Sequence, residues 1–195
     1  MEPHATPLRG TYCSSLRGCS VWKVIGPILT ASKGIEEDRL RGHDFSFPIG
    51  SGAETLRILL LTPSSVQPDA VQSTTPRLQQ FSVSTTTGGK RAVAILLSEA
   101  PFSSASGRYN LDGLLALQVL MVESLPTMLP IIPVADAACF LTSVQEYISG
   151  LETIELQPLI NIESPTTAIA TLDSTPNPSM SDGQYTDIFS RYMAL

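Results

Sequence analysis

Three runs of this chain leave little freedom of fold: LRILLLT at residues 56–62, RAVAILLS at 91–98 and MLPIIPV at 128–134. Each is apolar at nearly every position, so both faces of the strand it forms must be shielded from water. Two apolar stretches with helical spacing, 111–124 and 136–149, follow the second and third runs. Asn110 stands before the first as an N-cap and Gly150 closes the second. Strand, helix, strand and helix in that order predict parallel crossovers. The expected fold is therefore an α/β domain of three layers, with a small, mostly parallel sheet of at least three strands flanked by helices.

Elsewhere composition guides the reading. The 195 residues include 15 prolines, which shifts much of the chain into loops. Residues 1–55 read as an irregular N-terminal arm and surface loop: Pro27 interrupts the apolar segment SVWKVIGPIL, and Glu36, Glu37, Asp38, Arg39 and Arg41 make a dense charge cluster expected as a solvated loop or short helix. Residues 56–162 form the core domain. They include one short helix within 68–81, interrupted near Pro76, and an edge strand LQPLINI whose Pro158 suits an edge. Residues 163–195 read as a flexible, acidic tail rich in Ser, Thr and Pro. Within it Tyr185, Ile188, Phe189 and Tyr192 stand at i, i+3, i+4 and i+7, the stripe of an amphipathic helix that lies in a partner's groove. Thr6, Ser164 and Thr175 each precede proline and are candidates for phosphorylation.

The net charge of −6 is unevenly spread. Residues 1–56 carry six basic and six acidic groups, 57–151 five and six, and 152–195 one and six. A basic stripe able to neutralise a row of phosphates is missing from the sequence, so the expected partners are proteins, with no direct nucleic acid. Apolar runs long enough to span a bilayer are also missing, so no membrane is expected; the oligomeric state stays open. Three cysteines, Cys13, Cys19 and Cys139, fit neither a zinc site nor a disulfide framework. They point to a reducing setting, cytoplasmic or nuclear rather than mitochondrial, and Cys139 reads as a small core residue.

Catalytic chemistry finds little support. The strand at 56–62 is followed by TPSSVQPD, which lacks the Gly and Lys of a phosphate-binding loop, and Gly50-Ser51-Gly52 and Gly88-Gly89-Lys90 precede strands instead of following them. His43 and Asp44 would serve Ser51 as a hydrolytic set only if the glycine-rich loop folded over the sheet. Glu99, Asp112 and Asp136 lie near strand ends, where α/β sites form, but Asp112 and Asp136 also stand at helix starts, where a carboxylate stabilises the helix dipole. Two histidines and three scattered cysteines make no metal set, so no metal and no cofactor is expected.

The order of elements from Arg91 to Leu151 resembles the C-terminal half of a Ras-like small GTPase domain. Ser98-Glu99-Ala100-Pro101 stands where that family carries its guanine-reading Asn-Lys-x-Asp. The resemblance implies a degenerate nucleotide fold that keeps a scaffold, of the kind used by regulatory subunits in chromosome maintenance or trafficking. The expected function is a non-catalytic subunit or adaptor of a protein complex, which binds through an apolar surface and the C-terminal amphipathic segment. The alternative is an enzyme of unassigned class, with its site at the carboxyl ends of the strands.

Overall fold

The computed structural model describes residues 8–83, 89–98 and 110–156. Among them are six strands: β1 (Gly10–Cys13), β2 (Ile35–Asp38), β3 (Phe45–Ile49), β4 (Glu54–Leu61), β5 (Gly89–Leu96) and β6 (Ile131–Val134). They form one sheet in the order β2-β1-β3-β4-β5-β6. Every neighbouring pair is parallel except the two that involve β3, so one strand runs against the other five. Four helices cover the sheet: α1 (Trp22–Ala31), α2 (Val71–Val83), α3 (Leu111–Ser124) and α4 (Phe140–Leu156).

The three layers follow from the two-residue period of the central strands. Leu56, Ile58 and Leu60 of β4 and Ala92, Ala94 and Leu96 of β5 face one core, shared with Ile25 and Leu29 of α1 and Phe140, Val144 and Ile148 of α4. Leu59, Leu61, Val93 and Ile95 face the other, against Leu78 and Phe81 of α2 and Leu117, Leu120 and Met121 of α3. Both parities of these strands are buried, which is why their sequence is apolar throughout. The expected three-layer α/β architecture with a mostly parallel sheet is present, with twice the minimum number of strands.

The N-terminal third departs from expectation. Residues read as an irregular arm and loop form β1, α1, β2 and β3. The charge cluster at residues 36–38 is neither loop nor helix but most of β2, an edge strand paired parallel to β1, whose exposed carboxylates reach water on a sheet margin. Arg17 holds Glu37 there at 2.5 Å, and Tyr12 donates to the same carboxylate at 3.2 Å. In β3, Phe45, Phe47 and Ile49 alternate inward while Pro48 points out. Pairing of β1 with β3 covers only Phe45 and Ser46, so Pro48 lies past its end and its missing N–H breaks no bond on that side.

Three helix boundaries also differ. Both Pro27 and Pro76 lie inside helices, and each is exposed on the solvent face, so the hydrogen bond its missing N–H forfeits is not lost from the core. Gly150 does not close α4, which continues to Leu156. Leu151 packs partly buried against the first core, and the Glu152 carboxylate accepts the Gly50 N–H at 2.7 Å, so tertiary contacts carry the helix past the glycine. The start of the expected edge strand at residue 156 is thus helical, and residues 157–162 lie outside those described. Among the described residues no helix is long and apolar enough to cross a membrane.

The α3 helix begins where its sequence says. The Asn110 side chain accepts the Gly113 N–H at 2.9 Å. Gly113 itself lies against the 3₁₀ turn Pro63–Val66 that follows β4, where a Cβ would come within 2.7 Å of Pro63 Cβ and 3.0 Å of its Cα. Gly113→Ala is expected to cost about 1–2 kcal/mol net, because overpacking outweighs the gain in helix propensity. Urea denaturation of the variant beside the parent checks this.

Candidate functional site

Because β3 runs against β4, its first residues stand beside the carboxyl end of β4, and Asp44 is set next to Leu60. The Asp44 backbone N–H donates to the Ile58 carbonyl at 2.9 Å, which fixes the side chain inside the sheet margin at 3% exposure. One carboxylate oxygen accepts the Leu60 N–H at 2.7 Å. Arg77 of α2 places its Nη2 2.5 and 2.6 Å from the two oxygens. Burial pushes the Asp44 carboxyl up from its ordinary range, against the pull of Arg77 and of the Leu60 N–H.

On the outer side of this pair lies a cavity of about 390 Å³, bounded on one wall by Leu16, Cys19, Ser20 and Val21. Leu60, Thr62, Ser64 and Ser65 from the end of β4 and its turn also line it, as do Ala70, Ser73, Thr74 and Arg77 at and just before α2. The 3₁₀ turn after β4 is pinned by its own hydroxyls. Thr62 Oγ1 lies 2.8 Å from Ser64 Oγ and 3.1 Å from Ser65 Oγ, Ser65 Oγ accepts the Thr62 N–H, and Thr74 donates to the Ser65 carbonyl at 2.7 Å. The described residues lining the cavity include two ionisable groups, the Arg77 guanidinium and the Cys19 thiol, with no imidazole and no carboxylate. Such a wall can hold a ligand, but it offers no ordinary acid–base pair to move a proton.

A second feature is the outer face of α3. Gly113, Leu117, Leu120 and Met121 are buried on one side, while Leu111, Leu115, Val119 and Val122 are 56–67% exposed on the other. At i, i+4, i+8 and i+11 these four fall on a single stripe. Among the described residues one side of this helix is covered, by α2, the turn after β4 and the sheet. Asp112 and Glu123 lie exposed along one edge of the stripe, and α3 has no basic residue.

The sequence candidates for catalysis do not assemble. His43 Nδ1 lies 3.0 Å from the Arg41 carbonyl, and Asp44 is engaged by Arg77. Burial lowers the His43 pKa from its usual value. Ser51 sits in the turn at the far end of β3, a strand length of roughly 17 Å from Asp44. Asp136 accepts the Cys139 N–H at 3.0 Å ahead of α4, and Asp112 lies in the first turn of α3, so each serves a helix start. Cys139 is exposed, not a core residue as its apolar neighbours suggested; hydrogen bonding to Asp136 pushes its thiol up, and Cys13 is the buried cysteine. Glu99, Thr6, Ser164, Thr175, Tyr185, Ile188, Phe189 and Tyr192 lie outside the described residues. Sequence reading missed the Asp44–Arg77 pair, whose partners are 33 positions apart. Its one visible signal is an ionisable residue opening the alternating run FSFPI.

No protein-family model matches the chain, and neither does any curated protein. Among solved structures it is similar to XPF from Aeropyrum pernix in complex with DNA, at 12% identity and a TM-score of 0.41, over 78% of this chain and 68% of that one. The expectation of partners with no direct nucleic acid is withdrawn; the solved structure to which this chain is similar holds DNA. It rested on charge summed along the sequence, which does not report where cations gather on a folded surface.

Proposed function

We propose that this chain is a protein-interaction subunit that docks through the outer face of α3. The stripe of Leu111, Leu115, Val119 and Val122 carries this reading, because four large aliphatic side chains more than half exposed on one line make a contiguous apolar face of the kind that marks interaction sites. The flanking charges narrow the partner. Asp112 and Glu123 are the charged residues of α3, and two antiparallel copies of the helix would bring these acids together, which disfavours self-association. An amphipathic helix with Leu-type anchors and basic residues along one edge fits both features.

The test places a photo-crosslinking residue at Gln118, on the other edge of the stripe, and compares capture by the parent with capture by Val119→Arg. A cross-link to a basic amphipathic helix, lost in Val119→Arg at an unchanged melting temperature, is the expected result. Equal capture by both forms overturns the docking face, and a cross-link between two copies of this chain replaces the partner by a homodimer. The C-terminal residues Tyr185, Ile188, Phe189 and Tyr192 are proposed as a second contact in the same complex. Removing residues 182–195 should weaken capture without abolishing the α3 cross-link, and capture that is unaffected excludes them.

A further inference from the structure

The cavity beside Arg77 has a use that the α3 face does not explain. Its wall carries one cation and no anion among the described residues. The Asp44 carboxylate that balances this cation lies behind it, inside the sheet margin, and meets Nη2 alone. Nε and Nη1 take no other described residue as partner, and the Ser20 hydroxyl, which lines the same cavity, likewise takes no described residue. A guanidinium bonded through Nη2 to a buried carboxylate, with a serine hydroxyl lining the same cavity, offers a ligand the remaining guanidinium donors and a hydroxyl that can donate. Oxyanions match that pattern, because their oxygens accept from an arginine fork.

We infer that this cavity binds the phosphate group of a small phosphorylated molecule, with Arg77 and Ser20 as its donors. The volume of about 390 Å³ lies within the range of small-molecule sites and exceeds what one phosphate fills, so the rest of the space takes an organic body against Leu16, Val21 and Ala70. The Thr62, Ser65 and Thr74 hydroxyls, bonded to one another and to the turn, act as positioning groups that keep the wall in place.

Calorimetric titration of the full chain with inorganic phosphate and with glycerol 1-phosphate, at matched ionic strength, tests the inference. Saturable binding is expected, tighter for glycerol 1-phosphate. Ser20→Asp puts a carboxylate of the ligand's own sign on the cavity wall while keeping Asp44 and Arg77 in the chain, and should weaken binding by about tenfold or more. Ala70→Leu fills the body of the cavity and should weaken glycerol 1-phosphate more than inorganic phosphate. Tighter binding of inorganic phosphate would assign the site to the free ion, and overturn the organic body. Absence of saturable heat with both probes, or unchanged affinity in Ser20→Asp, overturns the site itself.

Discussion

Arg77→Ala is expected to destabilise the domain by about 3 kcal/mol at neutral pH, because it leaves the Asp44 carboxylate inside the sheet margin with no cation. The figure is at the low end for a broken buried pair, since the Arg77 side chain is 42% exposed and water reaches the carboxylate once it is gone. Its pH dependence has a definite sign. Burial already raises the Asp44 pKa in the folded state, so the stability this group contributes is fully present below the ordinary carboxylate range and is lost as pH rises through the raised value. Removing Arg77 takes away a group that opposes the rise, and the folded pKa moves higher still. The difference between variant and parent should therefore be small in acid, where Asp44 is protonated in both, and should widen toward neutrality. Urea denaturation across that interval measures it; a deficit independent of pH would mean that Arg77 acts through packing alone. Asp44→Asn removes the charge but keeps an acceptor for the Leu60 N–H, and its loss should be nearer 1 kcal/mol.

The other large effect is expected at Phe45→Ala, at about 3–5 kcal/mol. Phe45 is fully buried between Phe47 and Phe140, with ring centroids 6.0 and 4.7 Å away. It thus joins β3 to α4, and truncation opens a cavity at that junction which neither element can close by moving alone. For a chain of this size the midpoint of thermal unfolding should fall by upwards of about 6 °C. Val119→Arg on the exposed face of α3 is the matched control. A fall of similar size there would show that face to be packed.

The central sheet was legible because its strands bury both parities and their neighbours in sequence are also their neighbours in space. Strands β4, β5 and β6 and the Asn110 cap all came from local pattern. The N-terminal strands were not legible, for physical reasons that differ among them. In β1 there are only four residues, GTYC, too few to show a period. The acidic IEED of β2 is tolerated because it is an edge, and β3 alternates correctly but carries Pro48, which a local reading takes as a break. Helices α1 and α4 run through Pro27 and Gly150 because core contacts of Leu29 and Leu151 outweigh the local cost, and propensity read along the chain has no access to those contacts. The cavity was legible in part. The turn after Thr62 lies at a strand's carboxyl end, where α/β sites form, but its charge depends on Asp44 and Arg77 meeting from separate elements.

The Glu152 bond to Gly50 has a bearing on synthesis at the ribosome. The hairpin of β3 and β4 leaves the exit tunnel a hundred residues before the helix that covers it, with Phe45 and Phe47 pointing to the face that Phe140, Val144 and Ile148 will fill. Until those three emerge, a nascent chain has its sheet but half of its roof, and the open face is an apolar surface of the sort that chaperones hold. Closure of this core waits for α4, the last of the described helices to be made.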